Sequence, residues 1–182
     1  MNAVREVGFG RIVRFVWTSC LLSILRRAWI PPIRIALLRL FGARVGRHTV
    51  IHRLSLINVD RGGFKALVIG DHCFVGDEVL LDLAATVRLE DHVTLAARAQ
   101  VLTHLNVGYR DHPLQARFPR QTAGVIIHRG SFVGAGSLIL AGLTVGPEAF
   151  VAAGSVVTRS VDAGAVVGGV PARALTRPST GD

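Results

Sequence analysis

The side chains best suited to acid–base chemistry lie in one irregular stretch of the sequence, residues 103–124. His104 stands at its start and His112 in its middle, within the tetrapeptide RDHP. An imidazole titrates near neutral pH, so either side chain could take a proton from a hydroxyl group and return it to a leaving group. Each could instead be a hydrogen-bonded turn residue. His104 is the first candidate for a general base and His112 the second.

Outside this stretch, most of the chain from about residue 43 has a period of six residues. An aliphatic residue returns at every sixth position in four runs: Val45, Ile51 and Ile57; Ile69, Val75 and Leu81; Leu89, Leu95 and Val101; and Ile127, Val133, Ile139, Val145, Val151 and Val157. If each hexapeptide is a short strand plus a turn, three of them make a triangular coil of about 18 residues. The period therefore predicts a parallel β-solenoid. A β-sandwich would place its turns about 8 to 12 residues apart.

The repeat also predicts what surrounds the first histidine. Asp82 directly follows the inward Leu81, in the coil beneath His104. A carboxylate there could orient the imidazole, as the aspartate of a catalytic triad does, or it could be a plain corner residue. A long insertion loses ordering entropy and adds nothing to a stacked core, so residues 103–124 are predicted to form a functional loop.

The positive charge is concentrated before the repeats. The chain has a formal net charge of +9, and nine arginines precede residue 50 against the single acidic residue Glu6. Residues 1–42 form a basic, apolar leader that we expect to be helical and broken at Pro31–Pro32. Its longest run without charge, residues 15–25, is well short of the roughly 20 residues that a bilayer crossing needs. Residues 11–40 are expected either to cap the solenoid or to contact an anionic membrane surface.

Two further features bear on location and partners. Cys20 and Cys73 are the only cysteines, which argues against a disulfide framework and favours a reducing compartment. We therefore expect a cytoplasmic protein. If the leader contacts lipid rather than only capping the solenoid, that contact is expected at the inner membrane face. The basic leader lacks the Lys-rich, aromatic-studded face that binds nucleic acid strands, so no nucleic acid partner is predicted.

Three segments carry a resemblance to a known family: IGDHCFVGDEVLLDL, LEDHVTLAARAQVLTH, and GSFVGAGSLILAGLTVGPEAFVAAGSVVTRSV followed by GGVPARAL. Residues 43–177 resemble the hexapeptide-repeat acyltransferases, in the branch of maltose and galactoside O-acetyltransferases and polysaccharide-biosynthesis acetyltransferases. Residues 178–182 form a tail. The resemblance implies an all-β, left-handed parallel β-helix and a homotrimer with active sites between subunits. It also implies acetyl-coenzyme A (acetyl-CoA) as the donor, and no metal.

The resemblance implies a set of donor-binding residues, and this sequence departs from the family's pattern at one position. The positions that match the family's donor-binding residues are Ala135, Ala153, Thr158, Arg159 and Arg173. In the sugar acetyltransferases, the catalytic histidine lies five residues past the inward aliphatic residue. This chain has Asn106 at that position and His104 two residues earlier. The choice of base between His104 and His112 therefore stays open.

Together these features predict transfer of an acetyl group to a hydroxyl, or amino, group of a sugar or glycan precursor. One alternative is a β-helix enzyme resembling zinc carbonic anhydrases, but His104 and His112 are eight residues apart, wider than the metal-binding pair of those enzymes. The other alternative is a non-catalytic scaffold that the leader tethers to lipid.

Overall fold

Two helices precede the repeats in the computed structural model, which describes residues 9–109 and 111–175. Helix α1 spans Phe9–Arg27 and α2 spans Pro31–Leu40. The two prolines occupy the first positions of α2, where a missing N–H removes no helical hydrogen bond, and Ile30 before them is extended. The predicted break in the leader is therefore present. None of the helices in the described ranges is both long and apolar enough to cross a lipid bilayer.

The repeats form short strands, most of them two residues long. In chain order they are β1 Arg44–Val45, β2 Val50–Ile51, β3 Leu54–Ile57, β4 Leu67–Ile69, β5 Phe74–Val75, β6 Val79–Asp82, β7 Val87–Leu89, β8 Thr94–Leu95, β9 Gln100–Val101, β10 His104–Leu105, β11 Gln121–Thr122, β12 Val125–Ile127, β13 Phe132–Val133, β14 Leu138–Ile139, β15 Thr144–Val145, β16 Phe150–Val151, β17 Val156–Val157, β18 Val166–Gly168 and β19 Arg173–Ala174. A short helix α3, Val59–Gly62, and a 3₁₀ turn, Phe64–Ala66, lie between β3 and β4.

The strands stack into three parallel sheets that form the sides of a left-handed β-helix of about five turns. Sheet A contains β1, β4, β7, β12 and β15 in spatial order. Sheet B contains β2, β5, β8, β13, β16 and β18, with β19 antiparallel at its end. Sheet C contains β3, β6, β9, β14 and β17. The chain passes from A to B to C in every coil, so the predicted solenoid is confirmed.

The core is a column of aliphatic side chains inside the three sheets. In sheet B, Ile51 stacks on Val75, then on Leu95, Val133 and Val151, and all five are fully buried. Burying each such side chain stabilises the fold by roughly 1.5–3 kcal/mol. The corners require glycine where coils approach: a Cβ on Gly134 would lie 2.5 Å from the backbone nitrogen of Ala153 in the next coil.

The first coil departs from the predicted register. Ile57 was expected to point inward, and this is wrong: Leu56 is buried and pairs with Leu81, whereas Ile57 is half-buried and pairs with Asp82. The cause is a turn of different length. Two residues separate β2 from β3, whereas three separate β5 from β6. The helical excursion that follows β3 is a second departure, which the sequence pattern did not predict.

The predicted loop is present, and its base is more ordered than the sequence indicated. The two ends of the loop pair as a short antiparallel ladder, with His104 opposite Thr122 and Leu105 opposite Gln121. The backbone N–H of Ala123 also donates to the carbonyl of Thr103. The loop therefore leaves and re-enters the coil at one fixed point, the corner between sheets C and A.

Helix α2 covers the open end of the first coil. Its Leu38 is fully buried, and its Arg34 is 3% exposed. The Arg34 guanidinium donates hydrogen bonds to the carbonyl oxygens of Ile51 in the first coil and Ala28 before the helix. Burial lowers the pKa of Arg34. A buried arginine thus ties the leader to the solenoid through backbone groups.

We expect Arg34→Ala to lower the free energy of unfolding by about 3 kcal/mol, because it leaves two carbonyl groups without a donor and opens a cavity. The matched control is Arg39→Ala. Arg39 lies in the same helix and also donates to two carbonyl groups, those of Val45 and Gly46, but it is exposed. The control should lose under about 1 kcal/mol. Urea denaturation measures both, and equal losses would contradict the role of the buried side chain.

Candidate active site

His104 and Asp82 meet at the corner between sheets C and A. The imidazole Nδ1 of His104 lies 2.5 Å from Oδ2 of Asp82. Their meeting follows from coil stacking: Leu81 pairs with Val101, so Asp82 at the end of β6 lies beneath the start of the loop. The structure thus brings together two of the three predicted catalytic residues.

Asp82 is fully buried and surrounded by donors. Its Oδ2 also accepts from the backbone N–H of Thr103 at 2.9 Å, and its Oδ1 accepts from Asn58 Nδ2 at 2.7 Å and from the Ala84 N–H at 3.1 Å. Burial alone would raise the pKa of Asp82. The hydrogen bonds from His104, Thr103, Asn58 and Ala84 outweigh that effect and hold the pKa below its ordinary value.

The state of Asp82 determines which nitrogen of His104 is basic. Because the carboxylate is ionised and can only accept, the proton shared with it belongs to His104 Nδ1. The lone pair of the neutral ring is then on Nε2. The His104 side chain is 21% exposed, so the imidazole is held by the protein and still reachable from solvent. This arrangement suits a general base for a hydroxyl substrate.

Sequence reasoning missed Asn58 and Thr103. Asn58 precedes α3 with φ of 55°, a left-handed conformation that asparagine tolerates better than most residues. The side chain of Thr103 donates to the Asp82 carbonyl and accepts from the Ala85 N–H. Asn58, Asp82 and His104 therefore form a hydrogen-bonded row across three successive coils. The break in the period after Ile57 was the available signal for Asn58.

The structure does not bring His112 or Asn106 to this row. Nδ1 of His112 accepts from the Leu114 N–H at 3.1 Å, and Asn106 Oδ1 accepts from the Gly108 N–H at 3.3 Å. Both contacts are local to the loop. Within residues 9–109 and 111–175, neither side chain shares a hydrogen bond with His104 or Asp82.

Two of the predicted donor-binding residues lie on the opposite edge of sheet C. Ala135 and Ala153 are exposed at the corner between sheets B and C, in successive coils, where the Gly154 N–H donates to the Ala135 carbonyl. A Cβ added at Gly136 or Gly154 would meet nothing within 4 Å. A cleft of about 580 Å³ runs along this corner, lined by Arg53, Asp77, Glu78, Ala97, Arg98, Ala135 and Gly136. The corner is open and has small side chains along its base.

The other three predicted donor-binding residues lie further along the axis. Thr158 and Arg159 follow β17 at the corner between sheets C and A, two coils beyond the base of the loop. Arg173 lies in β19. All three side chains are exposed. In the part of the chain that the structure describes, neither arginine is paired with a carboxylate.

A metal site has no support within one subunit. Across the described ranges, no three histidine, cysteine, aspartate or glutamate side chains converge closely enough to hold an ion.

We expect Asp82→Asn to change how stability depends on pH. The native pKa of Asp82 is depressed, so its contribution is complete above the unfolded value near 4 and is lost as pH falls through the lower native value. The gap in unfolding free energy between wild type and variant should therefore narrow below about pH 4. Denaturant titrations at several pH values measure it, with the surface variant Asp162→Asn as control. A gap that stays constant down to about pH 2.5 would contradict an ionised, hydrogen-bonded Asp82.

Known proteins resemble this chain in sequence and in fold. No protein-family model matches the chain. A protein of Escherichia coli (strain K12), named as a candidate colanic acid biosynthesis acetyltransferase, WcaF, is 30% identical over 149 residues, which cover 80% of this chain and 77% of that protein. A 2,3,4,5-tetrahydropyridine-2,6-dicarboxylate N-acetyltransferase of Staphylococcus aureus (strain JH9) is 41% identical over 61 residues, covering 34% of this chain and 26% of that protein.

Solved structures share the fold. A hexapeptide-repeat acetyltransferase of Vibrio cholerae O1 biovar eltor, in complex with acetyl-CoA, matches with a TM-score of 0.77 and 24% identity, covering 97% of this chain and 91% of that one. A galactoside acetyltransferase in complex with coenzyme A matches with a TM-score of 0.78 and 19% identity, covering 94% and 84%. The fold match spans nearly the whole chain, and the sequence match to the Escherichia coli protein covers four fifths of it; the chain belongs to the hexapeptide-repeat acetyltransferase family.

Proposed function

We propose that this acetyltransferase moves the acetyl group of acetyl-CoA to a hydroxyl group of a sugar or glycan precursor, with His104 as the general base. The observation that carries the proposal is the buried, ionised Asp82 bonded to Nδ1 of His104 at the mouth of the loop. An amino group is the alternative acceptor, because a base of this kind can also take the proton that a neutral amine loses as it attacks the thioester.

The reaction needs no covalent enzyme intermediate. Nε2 of His104 takes the proton from the acceptor hydroxyl as its oxygen attacks the thioester carbonyl. The C–S bond of the tetrahedral intermediate then breaks, and the imidazolium returns the proton to the departing thiolate of coenzyme A. A backbone N–H stabilises the oxyanion in this scheme. Asp82 keeps the ring in the productive tautomer and stabilises the imidazolium without being protonated itself.

The chain has exposed residues that are suited to binding the acetyl-CoA donor. Ala135 and Ala153, with Gly136 and Gly154 beside them, leave room for a narrow chain such as pantetheine to approach the backbone. Arg159 and Arg173 are exposed and can pair with the phosphates of coenzyme A. The complexes that the two relatives form with acetyl-CoA and coenzyme A are consistent with this assignment.

We further propose that the active site forms between copies in a homotrimer. His104 and the pair Ala135 and Ala153 lie on opposite edges of sheet C in one subunit. A thioester held at the alanine corner of one copy would reach the histidine corner of its neighbour without crossing that sheet. A cyclic trimer repeats this junction three times.

The acceptor class and the location are proposed from one relative and from the cysteines. The Escherichia coli relative is named for colanic acid biosynthesis, which makes a sugar of a polysaccharide precursor the first acceptor class to test. Both cysteines are free, in keeping with a reducing compartment. We place the enzyme in the cytoplasm, at the inner membrane face, where a lipid-linked precursor would be exposed to it.

We expect His104→Ala to lower kcat/KM for acetyl transfer by about 10²–10⁴-fold, because the acceptor hydroxyl loses its base. The matched control, His112→Ala, should stay within about tenfold of wild type. Release of free thiol from acetyl-CoA across a panel of sugars measures both, with molecular mass as a check on assembly. The reverse result would make His112 the base. Absence of both turnover and acetyl-CoA binding in the wild type would favour the scaffold alternative.

We expect Arg159→Gln and Arg173→Gln each to raise KM for acetyl-CoA by about tenfold, because each removes a charge-assisted hydrogen bond to a phosphate. An arginine that binds the 3′-phosphate should lose this effect when acetyl-dephospho-CoA is the donor. Arg88→Gln, at an exposed position in β7, is the control for loss of charge. An unchanged KM in both variants would remove these residues from the donor site.

A further inference from the structure

Helix α1 has two apolar sides, and only one of them packs on the solenoid. On the inner side Thr18 and Leu25 are buried, and Leu21 and Leu22 pack partly against the core. The other side, which we call the outer stripe, consists of Val13, Val16, Trp17, Cys20 and Ile24. These positions recur at intervals of three and four residues, so they share one helix face. All five are exposed.

Further large apolar side chains are exposed in and around the two helices. Trp17 in the outer stripe is 64% exposed and Trp29, just after α1, is 83% exposed. These are the only tryptophans in the chain. Ile33 and Leu40 of α2 are exposed as well. A monomeric protein in water rarely leaves a row of five apolar side chains exposed on one helix face, so the outer stripe is expected to be covered by a partner.

The charges around the outer stripe identify what covers it. Residues 9–40 contain six arginines and no aspartate or glutamate. Three arginines of α1 are exposed, Arg14, Arg26 and Arg27. The guanidinium of Arg39 in α2 is held by the carbonyl groups of Val45 and Gly46. A second copy docking the same face would bring like charges together, whereas an anionic surface would be attracted. Tryptophan side chains prefer the boundary between lipid tails and water, and arginine stems can lie along apolar surface while their heads reach phosphate groups.

We infer that α1 lies flat on an anionic phospholipid bilayer, with the outer stripe in the headgroup region and the exposed arginines of α1 against lipid phosphates. The longest stretch of α1 without charge, residues 15–25, is too short to cross the bilayer, and the helix combines an exposed apolar face with exposed arginines, as an interfacial helix does. The inference rests on the proposed location at the inner membrane face and gives that location a contact surface. In a cyclic trimer, symmetry would place three such helices at one height, so all three could meet the same membrane.

The experiment is vesicle flotation of the full-length protein. Vesicles of phosphatidylcholine alone are compared with vesicles that also contain phosphatidylglycerol. We expect binding to the anionic vesicles only, weaker at high salt, with a blue shift of tryptophan emission because Trp17 lies in the contact. Absence of binding, or equal binding to both vesicle types, would overturn the inference.

Two double variants separate the apolar and charged contributions. Trp17→Ser with Ile24→Ser should weaken binding at least about tenfold, and Arg26→Gln with Arg27→Gln should weaken it and reduce its salt dependence. Arg88→Gln with Arg129→Gln removes two exposed arginines from the sheet A side and should bind as wild type.

Parallel measurements separate this inference from the proposed chemistry. Acetyl transfer to a soluble acceptor should be unchanged in all of these variants. If the wild type itself does not transfer acetyl groups, the proposed function is wrong, and membrane binding by the outer stripe is tested separately by flotation. Wild-type binding in the outer-stripe variant would overturn the inference. So would a loss of oligomeric mass in that variant, because the stripe would then be a contact between copies.

Discussion

Coil stacking is the constraint on which the other features depend. Each short strand is too small to be stable alone, and it persists because its backbone groups bond to the coils above and below while its inward side chain joins the aliphatic column. The stacking fixes positions along the axis as well as around it. Leu81 must lie under Val101, and this alone carries Asp82 beneath His104. The site is therefore a consequence of register, and the loop only has to begin at the right residue.

The row formed by Asn58, Asp82 and His104 shows how the solenoid supports a buried charge. A carboxylate with no exposed surface is costly unless every lone pair finds a donor. Three successive coils supply those donors. Two of the donors are the backbone N–H groups of Thr103 and Ala84, at the same corner. The donors hold Asp82 ionised, and an ionised Asp82 holds the imidazole of His104 in one tautomer. Stability and the proposed chemistry at this corner thus depend on the same hydrogen bonds.

Much of the fold could be predicted because its signal is repeated. The six-residue period gave the solenoid, the inward residues and the place of Asp82 relative to His104. The failures occur where a feature appears once. The period predicts an inward Ile57, but the turn before β3 is one residue shorter than its counterpart before β6, so Leu56 points inward instead. The period alone does not reveal such a local deletion. Asn58 was missed because its role depends on a left-handed backbone and a short helical excursion. The ladder of β10 and β11 has two residues a side, too few for an alternating pattern.

The two ends of the solenoid also differ, and the difference limits how far the architecture can extend. At the first coil, α2 lies over the column and Arg34 bonds to a carbonyl of that coil. At the last, the chain reverses so that β19 runs antiparallel to β18. An uncovered parallel coil would offer unpaired strand edges to the next molecule and could grow into a fibre by head-to-tail addition. Within the described residues, a helix lies at one end and a reversed strand at the other, so the two ends do not match, which disfavours growth of the stack by head-to-tail addition.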